Sequence, residues 1–255
     1  MDPEHRRANL ERVVSILEMA DSGSPVIRPT ALYNEGWLLQ LVLQAEAEGI
    51  HCMPFRIPEG TRYYGEPLLS SPFLYGESPE SHTHADAAIG QFDFRASTKA
   101  GLRLLAHSTS FEVVEAKLFS GLSKGVKNAS WYDQAARTVA CIGWAVALAG
   151  LASAETLSLG FTVLAPKSYT FDFSELVERK SVRTKVARRL AQFPSRGPEL
   201  ASWFQDCFEP LLPRIALRVE AWEDVLARVD LQAPARSAEL RSFYEACLLF
   251  GGGKK

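Results

Sequence analysis

The sequence predicts an α/β protein: a mixed central sheet flanked by helices, with a C-terminal helical lobe. Three observations carry this. Short runs between residues 50 and 165 alternate apolar and polar side chains with the period of a strand. Helix-spaced apolar stripes precede them near residues 30–47 and interrupt them near 128–149. From Ser174 onward the spacing is helical and punctuated by Pro194, Pro198, Pro210, Pro213 and Pro234. The 255 residues, 47% of them hydrophobic, suffice for one large domain or a core domain with an attached lobe. The expected divisions are an N-terminal helix (1–29), an α/β core (30–170), the helical lobe (171–250) and a disordered tail (251–255).

In chain order, Leu10, Val13, Val14 and Leu17 give a first amphipathic helix, which Asp21-Ser22-Gly23-Ser24-Pro25 breaks. A second helix is predicted from Thr30, as N-cap, to about Ala47. Glu35 falls on its apolar stripe between Leu32 and Leu39, so it needs a cation, a donor or a route to solvent. Ile50–Ile57 reads as a strand and residues 58–79 as a long loop or irregular hairpin. A strand is expected from about Ala85, with Asp86 near its start and Gly90 as a bulge. His82 and His84, in a Ser/Thr/Pro-rich loop, read as solvated. Leu102–Ala106 reads as a short strand.

Phe111–Phe119 is the strongest strand signal, because β-branched and aromatic residues dominate it. Glu115 and Lys117 then share one face, about 7 Å apart along the backbone. A carboxylate beside an ammonium suits chemistry in which one binds a metal and the other steadies a nucleophile or developing charge. A turn carrying Lys124 and Lys127 follows, then a helix from about Asn128 to Ala149. That helix aligns Gln134, Thr138, Cys141 and Ala145 on one face. Leu157–Ala165 alternates as a strand. The expected helices beyond it span Ser174–Gln192, Gly197–Leu211, Ala216–Val229 and Ser237–Leu249.

Asp86, Glu115-x-Lys117 and Gln134, together with Glu35 on the leading helix, make a pattern that resembles the PD-(D/E)xK nuclease superfamily in its Glu-x-Lys form. The likeness covers roughly Thr30 to Pro166, and it implies a restriction-endonuclease-like core of αβββαβ order. Ser120-Gly121-Leu122-Ser123 and Asp133-Gln134 resemble the serine and Asp-Gln elements of that family. Ala85 stands where the family often has proline, and the stretch from Asp86 to Glu115 is long for it. Asp93 is the rival strand aspartate. Asp86 is preferred because Ala87-Ala88-Ile89 follows it directly.

The resemblance implies a metal-dependent phosphodiester hydrolase of restriction, repair or defence type, acting on DNA more than RNA. Asp86, Glu115 and the Ala116 carbonyl would hold Mg²⁺ or Mn²⁺, with Glu35 completing the shell. Lys117 would orient water or stabilise charge, and Gln134 would position nucleophile, lysine or substrate backbone. Lys124, Lys127, Arg179, Arg183 and Arg188, the last three on a basic run from Arg179 to Arg196, are the candidate nucleic-acid contacts, although that run also fits a solvated helix face. Trp203-Phe204 and Tyr63-Tyr64 read as core aromatics before base-stacking ones.

Net charge, −2 at pH 7, excludes a uniformly basic coat but not a local groove. Four scattered cysteines lack a C-x-x-C pair, which excludes a zinc ribbon and fits a reducing cytoplasm. No signal peptide or membrane span is expected. A homodimer or a partner protein is compatible with the sequence. Two other readings remain at this stage: a nuclease-fold binding or assembly protein without cleavage, and a helical interaction protein carrying an accidental strand motif.

Overall fold

The computed structural model describes residues 3–20, 27–94 and 101–252. Its helices are α1 (Pro3–Glu18), α2 (Glu35–Ala47), α3 (Gln134–Leu148), α4 (Thr170–Ser174), α5 (Arg179–Leu190), α6 (Gly197–Ser202), α7 (Glu209–Leu211), α8 (Trp222–Gln232) and α9 (Pro234–Gly251). Its strands are β1 (Arg62–Gly65), β2 (Leu68–Leu69), β3 (Thr83–His84), β4 (Ala87–Gly90), β5 (Phe92–Phe94), β6 (Leu102–Leu104), β7 (Ser110–Ala116), β8 (Ser158–Ala165) and β9 (Ile215–Ala221). Among the described residues no helix is long and apolar enough to cross a membrane.

The central sheet runs β1-β4-β7-β8-β9. β1 and β4, and β4 and β7, pair antiparallel, whereas β7, β8 and β9 run parallel. A parallel pair requires a crossover, and α3 supplies it between β7 and β8. Every residue of β7 is buried, as a strand covered on both faces must be. Phe111 and Val113 look toward α3, where Ala136, Val139 and Ile142 meet them together with Phe161 and Val163 of β8. Val114 and Ala116 look the other way, into a second core with Leu38, Leu39 and Val42 of α2 and Trp222 and Val225 of α8. Of the stripe predicted on α3, Thr138 and Cys141 are buried, and Gln134 and Ala145 are half-buried.

Several expectations are corrected. Residues 215–221 form β9, an edge strand of the central sheet, so the predicted Ala216–Val229 helix begins only at Trp222. The helical C-terminal region therefore contributes a strand to the core. Residues 50–57 form no strand. Instead the Cys52 and Met53 amides donate to the Glu46 carboxylate, and the Cys52 carbonyl accepts from Arg228. The second helix starts at Glu35 behind an Asn34 cap, not at Thr30. Gly90 pairs regularly with Phe111 rather than bulging, and its reason is close approach: a Cβ would press on the Ser110 carbonyl. Gly251 closes α9 and Gly252 caps it, and the rest of the expected tail lies outside the described residues. The apolar stripe of α1 is exposed at Leu10, Val13, Val14 and Ile16.

A second glycine has a comparable role. Glu112 of β7 reaches across β8 to Arg218 of β9, oxygen to nitrogen 3.0 Å, and passes over Gly160. A Cβ at Gly160 would overlap both the Glu112 carboxylate and the Arg218 guanidinium. Gly160→Ala should therefore cost about 3 kcal/mol, an overpacking penalty with a displaced ion pair, read by chemical denaturation.

Burial pushes the Glu112 carboxyl up to about 7, against the opposing pull of Arg218. A raised carboxyl stabilises the fold below its unfolded value near 4.5 and loses that contribution as pH climbs through the folded value. A group moved that far is worth about 3 kcal/mol. Melting temperature should fall between pH 5 and pH 8, and Glu112→Gln should flatten that fall.

Candidate functional site

The β4–β7 register decides which acids meet. Ala87 lies opposite Val114, so Asp86, one residue earlier, lies across from Glu115 on the α3 side of the sheet. An Asp86 carboxylate oxygen accepts from the Ala116 amide at 2.7 Å, which fixes the side chain against the end of β7. Lys117 Nζ donates to Glu115 Oε1 at 2.5 Å and stands 3.7 Å from Asp86 Oδ2. The Lys117 backbone is pinned on both sides, its amide to the Leu164 carbonyl at 2.8 Å and its carbonyl to the indole of buried Trp222 at 2.9 Å. The backbone at Lys117 is thus fixed, and the ammonium itself is held by Glu115.

Gln134 enters from α3. Asp133 caps that helix by accepting from the Ala136 amide at 3.1 Å, so Gln134 is its first residue. Its side-chain nitrogen donates to Glu115 Oε1 and its oxygen accepts from the Ser123 amide at 3.0 Å. The Gln134 amide also donates to the Ser123 carbonyl at 3.1 Å. One side chain therefore ties the carboxylate, the helix start and the following loop together.

Electrostatics single out Glu115. Burial first, and then the Asp86 charge, push its carboxyl up to about 8, while Lys117 pulls it down. Burial pulls Lys117 down, but Glu115 and Asp86 more than offset it and the ammonium is held above its usual range. The two tendencies describe one shortage: two carboxylates share one cation. Lys117 keeps its proton, and Glu115 lacks a second positive partner. Its Oε1 takes both donors, whereas its Oε2 is buried with no hydrogen-bond partner. Asp86, with a side chain 28% exposed, is the open edge of the group.

An orphaned buried carboxylate oxygen beside a second, partly open carboxylate is a donor set that fits a hard divalent ion. Mg²⁺ commonly takes one or two carboxylates and fills its other positions with water and phosphate oxygens. Among the described residues no group of three or more His, Cys, Asp or Glu is arranged to hold an ion. Glu35, the first residue of α2, adds its negative charge to the field at Lys117. Asp93, the rival aspartate, lies in the separate β5–β6 pair and bonds the amide of Phe94. With Mg²⁺ at about a hundred times its dissociation constant, stabilisation of about 2.7 kcal/mol should raise the melting temperature by roughly 5–10 °C. Asp86→Ala should abolish that rise in a thermal scan.

The basic run is put to several uses. Arg179 donates to the Leu212 and Ile215 carbonyls and so anchors the start of β9. Arg183 pairs with Glu209, and Arg188 lies over the Trp131 ring at 4.1 Å. Lys124 and Lys127 are exposed in the loop that follows β7. Arg189 and Arg196, at the end of the same basic run, are turned inward: Arg189 is fully buried, and Arg196 bonds the Pro72 and Tyr75 carbonyls. Trp203 and Phe204 are core residues, while Tyr63 and Tyr64 are exposed on β1. Sequence reasoning missed Trp222 and the 2.6 Å Lys185–Asp133 pair, because only the fold brings these partners together.

No protein-family model, curated protein or solved structure matches this chain.

Proposed function

We propose that the protein is a metal-dependent nuclease with a restriction-endonuclease-like core, hydrolysing phosphodiester bonds in DNA in preference to RNA. The observation that carries the reading is the convergence of Asp86, Glu115, Lys117 and Gln134 around a carboxylate pair short of one positive partner. The order of a leading helix, antiparallel strands bearing Asp86 and Glu115-x-Lys117, a crossover helix and a parallel strand supports it.

Asp86, Glu115 and the Ala116 carbonyl would hold Mg²⁺ or Mn²⁺. Such an ion, when bound, supplies a water of lowered pKa and polarises the scissile phosphate. The chain does the rest. The Ala116 amide fixes Asp86, and Gln134 takes one Glu115 oxygen and leaves the other without a donor. Lys117 meets the negative charge that develops on the phosphoryl oxygens, in a buried setting where that attraction is strong.

The test is incubation of the purified protein with supercoiled plasmid, linear DNA and single-stranded RNA in Mg²⁺, Mn²⁺ and EDTA. Metal-dependent cutting, strongest on DNA, is the expected result. A folded protein that cuts none of them in either metal overturns the reading.

A further inference from the structure

A cavity of about 480 Å³ opens directly beyond the end of β7. Phe119, Trp131, Tyr169 and Phe173 give it aromatic walls, and Lys124 and Lys185 line it together with Asp133 and Asp172. It is continuous with the site in the chain: Phe119 stands two residues after Lys117, and Asp133 on its wall immediately precedes Gln134. The Lys185–Asp133 pair forms part of the lining, so that acid is neutralised, while Asp172 stands exposed among the other lining residues. Phe173 is buried and supports the wall, but Phe119 and Tyr169 remain 44% and 40% exposed. The Arg188 guanidinium lies over the Trp131 indole at 4.1 Å, which holds the ring and brings a further positive charge beside the cavity.

Flat π-faces lining a cavity of ligand size, with the Lys124 ammonium and the Arg188 guanidinium beside them, match one chemistry well: a planar heterocycle joined to a phosphate chain. A base stacked and paired within a duplex cannot enter such a cavity; only an unpaired or everted one can. We infer that this cavity receives the base of an unpaired nucleotide beside the scissile phosphate, so the substrate is nucleic acid that is single-stranded at the point of cleavage. The cleavage half of this statement rests on the nuclease reading, and the binding half does not.

The experiment measures binding in EDTA, where no cutting occurs, by fluorescence anisotropy of a labelled single-stranded DNA 12-mer, the RNA of the same sequence and the corresponding blunt duplex. At least one single strand should bind about tenfold or more tightly than the duplex, and comparison of the two strands identifies the sugar preferred. Trp131→Ala should weaken single-strand binding by about tenfold and leave duplex binding unchanged. Tyr169→Ala and Phe119→Ala change exposed rings, so they report on the cavity even where Trp131→Ala unsettles the fold. Duplex binding equal to that of both single strands, or single-strand binding indifferent to all three variants, overturns the inference. Tight single-strand binding by a protein that never cuts leaves the cavity assignment standing and removes the nuclease. Metal-dependent duplex cutting without single-strand preference does the reverse.

Discussion

If the proposed nuclease reading holds, Lys117→Ala should lose phosphodiester cleavage by at least about 10²–10³-fold while divalent-ion binding is retained. The scale is that of deleting one preorganised charge-stabilising donor from a water-poor site. The ammonium is well placed for such a loss, being 9% exposed, bonded to Glu115 and anchored through backbone bonds to β8 and α8. Removing it leaves Asp86 and Glu115 with no nearby cation, so the metal-free variant should melt lower than the wild type. Added Mg²⁺ should then raise its melting temperature at least as much as it raises that of the parent. Asp86→Ala should show the opposite pattern, losing the metal response along with activity. Cleavage by Lys117→Ala within threefold of the parent would remove Lys117 from the mechanism.

These residues were legible in the sequence because their strands are strongly patterned. β7 carries aromatic and β-branched side chains in alternation, and the apolar run after Asp86 marks the start of β4. Two strands read correctly, once paired, bring their polar termini together. β9 was not legible because its residues satisfy two periods at once. Ile215, Leu217, Val219 and Ala221 alternate, while Ala216, Val219 and Trp222 fit a helical stripe, and only the free edge of β8 decides between them. Residues 50–57 alternate too, but their amides meet the Glu46 carboxylate instead of a strand. Glu35 looked like a stripe residue because Leu32 preceded it. The helix begins at Glu35, so Leu32 lies outside it and the acid stands at the helix N-terminus. Such a position suits a negative charge in any helix.

The buried ion pairs were beyond sequence reasoning for a simpler reason: their partners are far apart in the chain. Arg189 reads as one more cation on a basic helix, yet it lies fully buried beneath the segment that leads to β3. Its guanidinium donates to the Ser78 carbonyl at 2.6 Å and to the Gln192 side chain at 2.5 Å, and it faces Glu80 at 3.6 Å. The rings of Phe193, Tyr132 and Phe73 surround it at 4.9–5.7 Å. This one side chain fastens residues 71–80 to α5. Arg189→Ala should therefore destabilise the protein by about 3–5 kcal/mol, the cost of orphaning a buried charge, or roughly 6–20 °C in melting temperature.

The loss should depend on pH, with a definite sign. Burial already raises the Glu80 carboxyl above its ordinary value, with the Ser71 hydroxyl and then Arg189 opposing. Without Arg189 it rises further, so the folded variant takes up a proton that the unfolded chain releases. Stability then increases as pH falls toward the unfolded carboxyl value near 4.5. Denaturation midpoints should show a smaller deficit at pH 5 than at pH 8. A double variant, Arg189→Met with Glu80→Leu, should recover most of the loss at pH 8, because an apolar pair leaves no charge to bury. Equal deficits at the two pH values, with no recovery in the double variant, would show that Arg189 acts through packing on its aromatic neighbours rather than through Glu80.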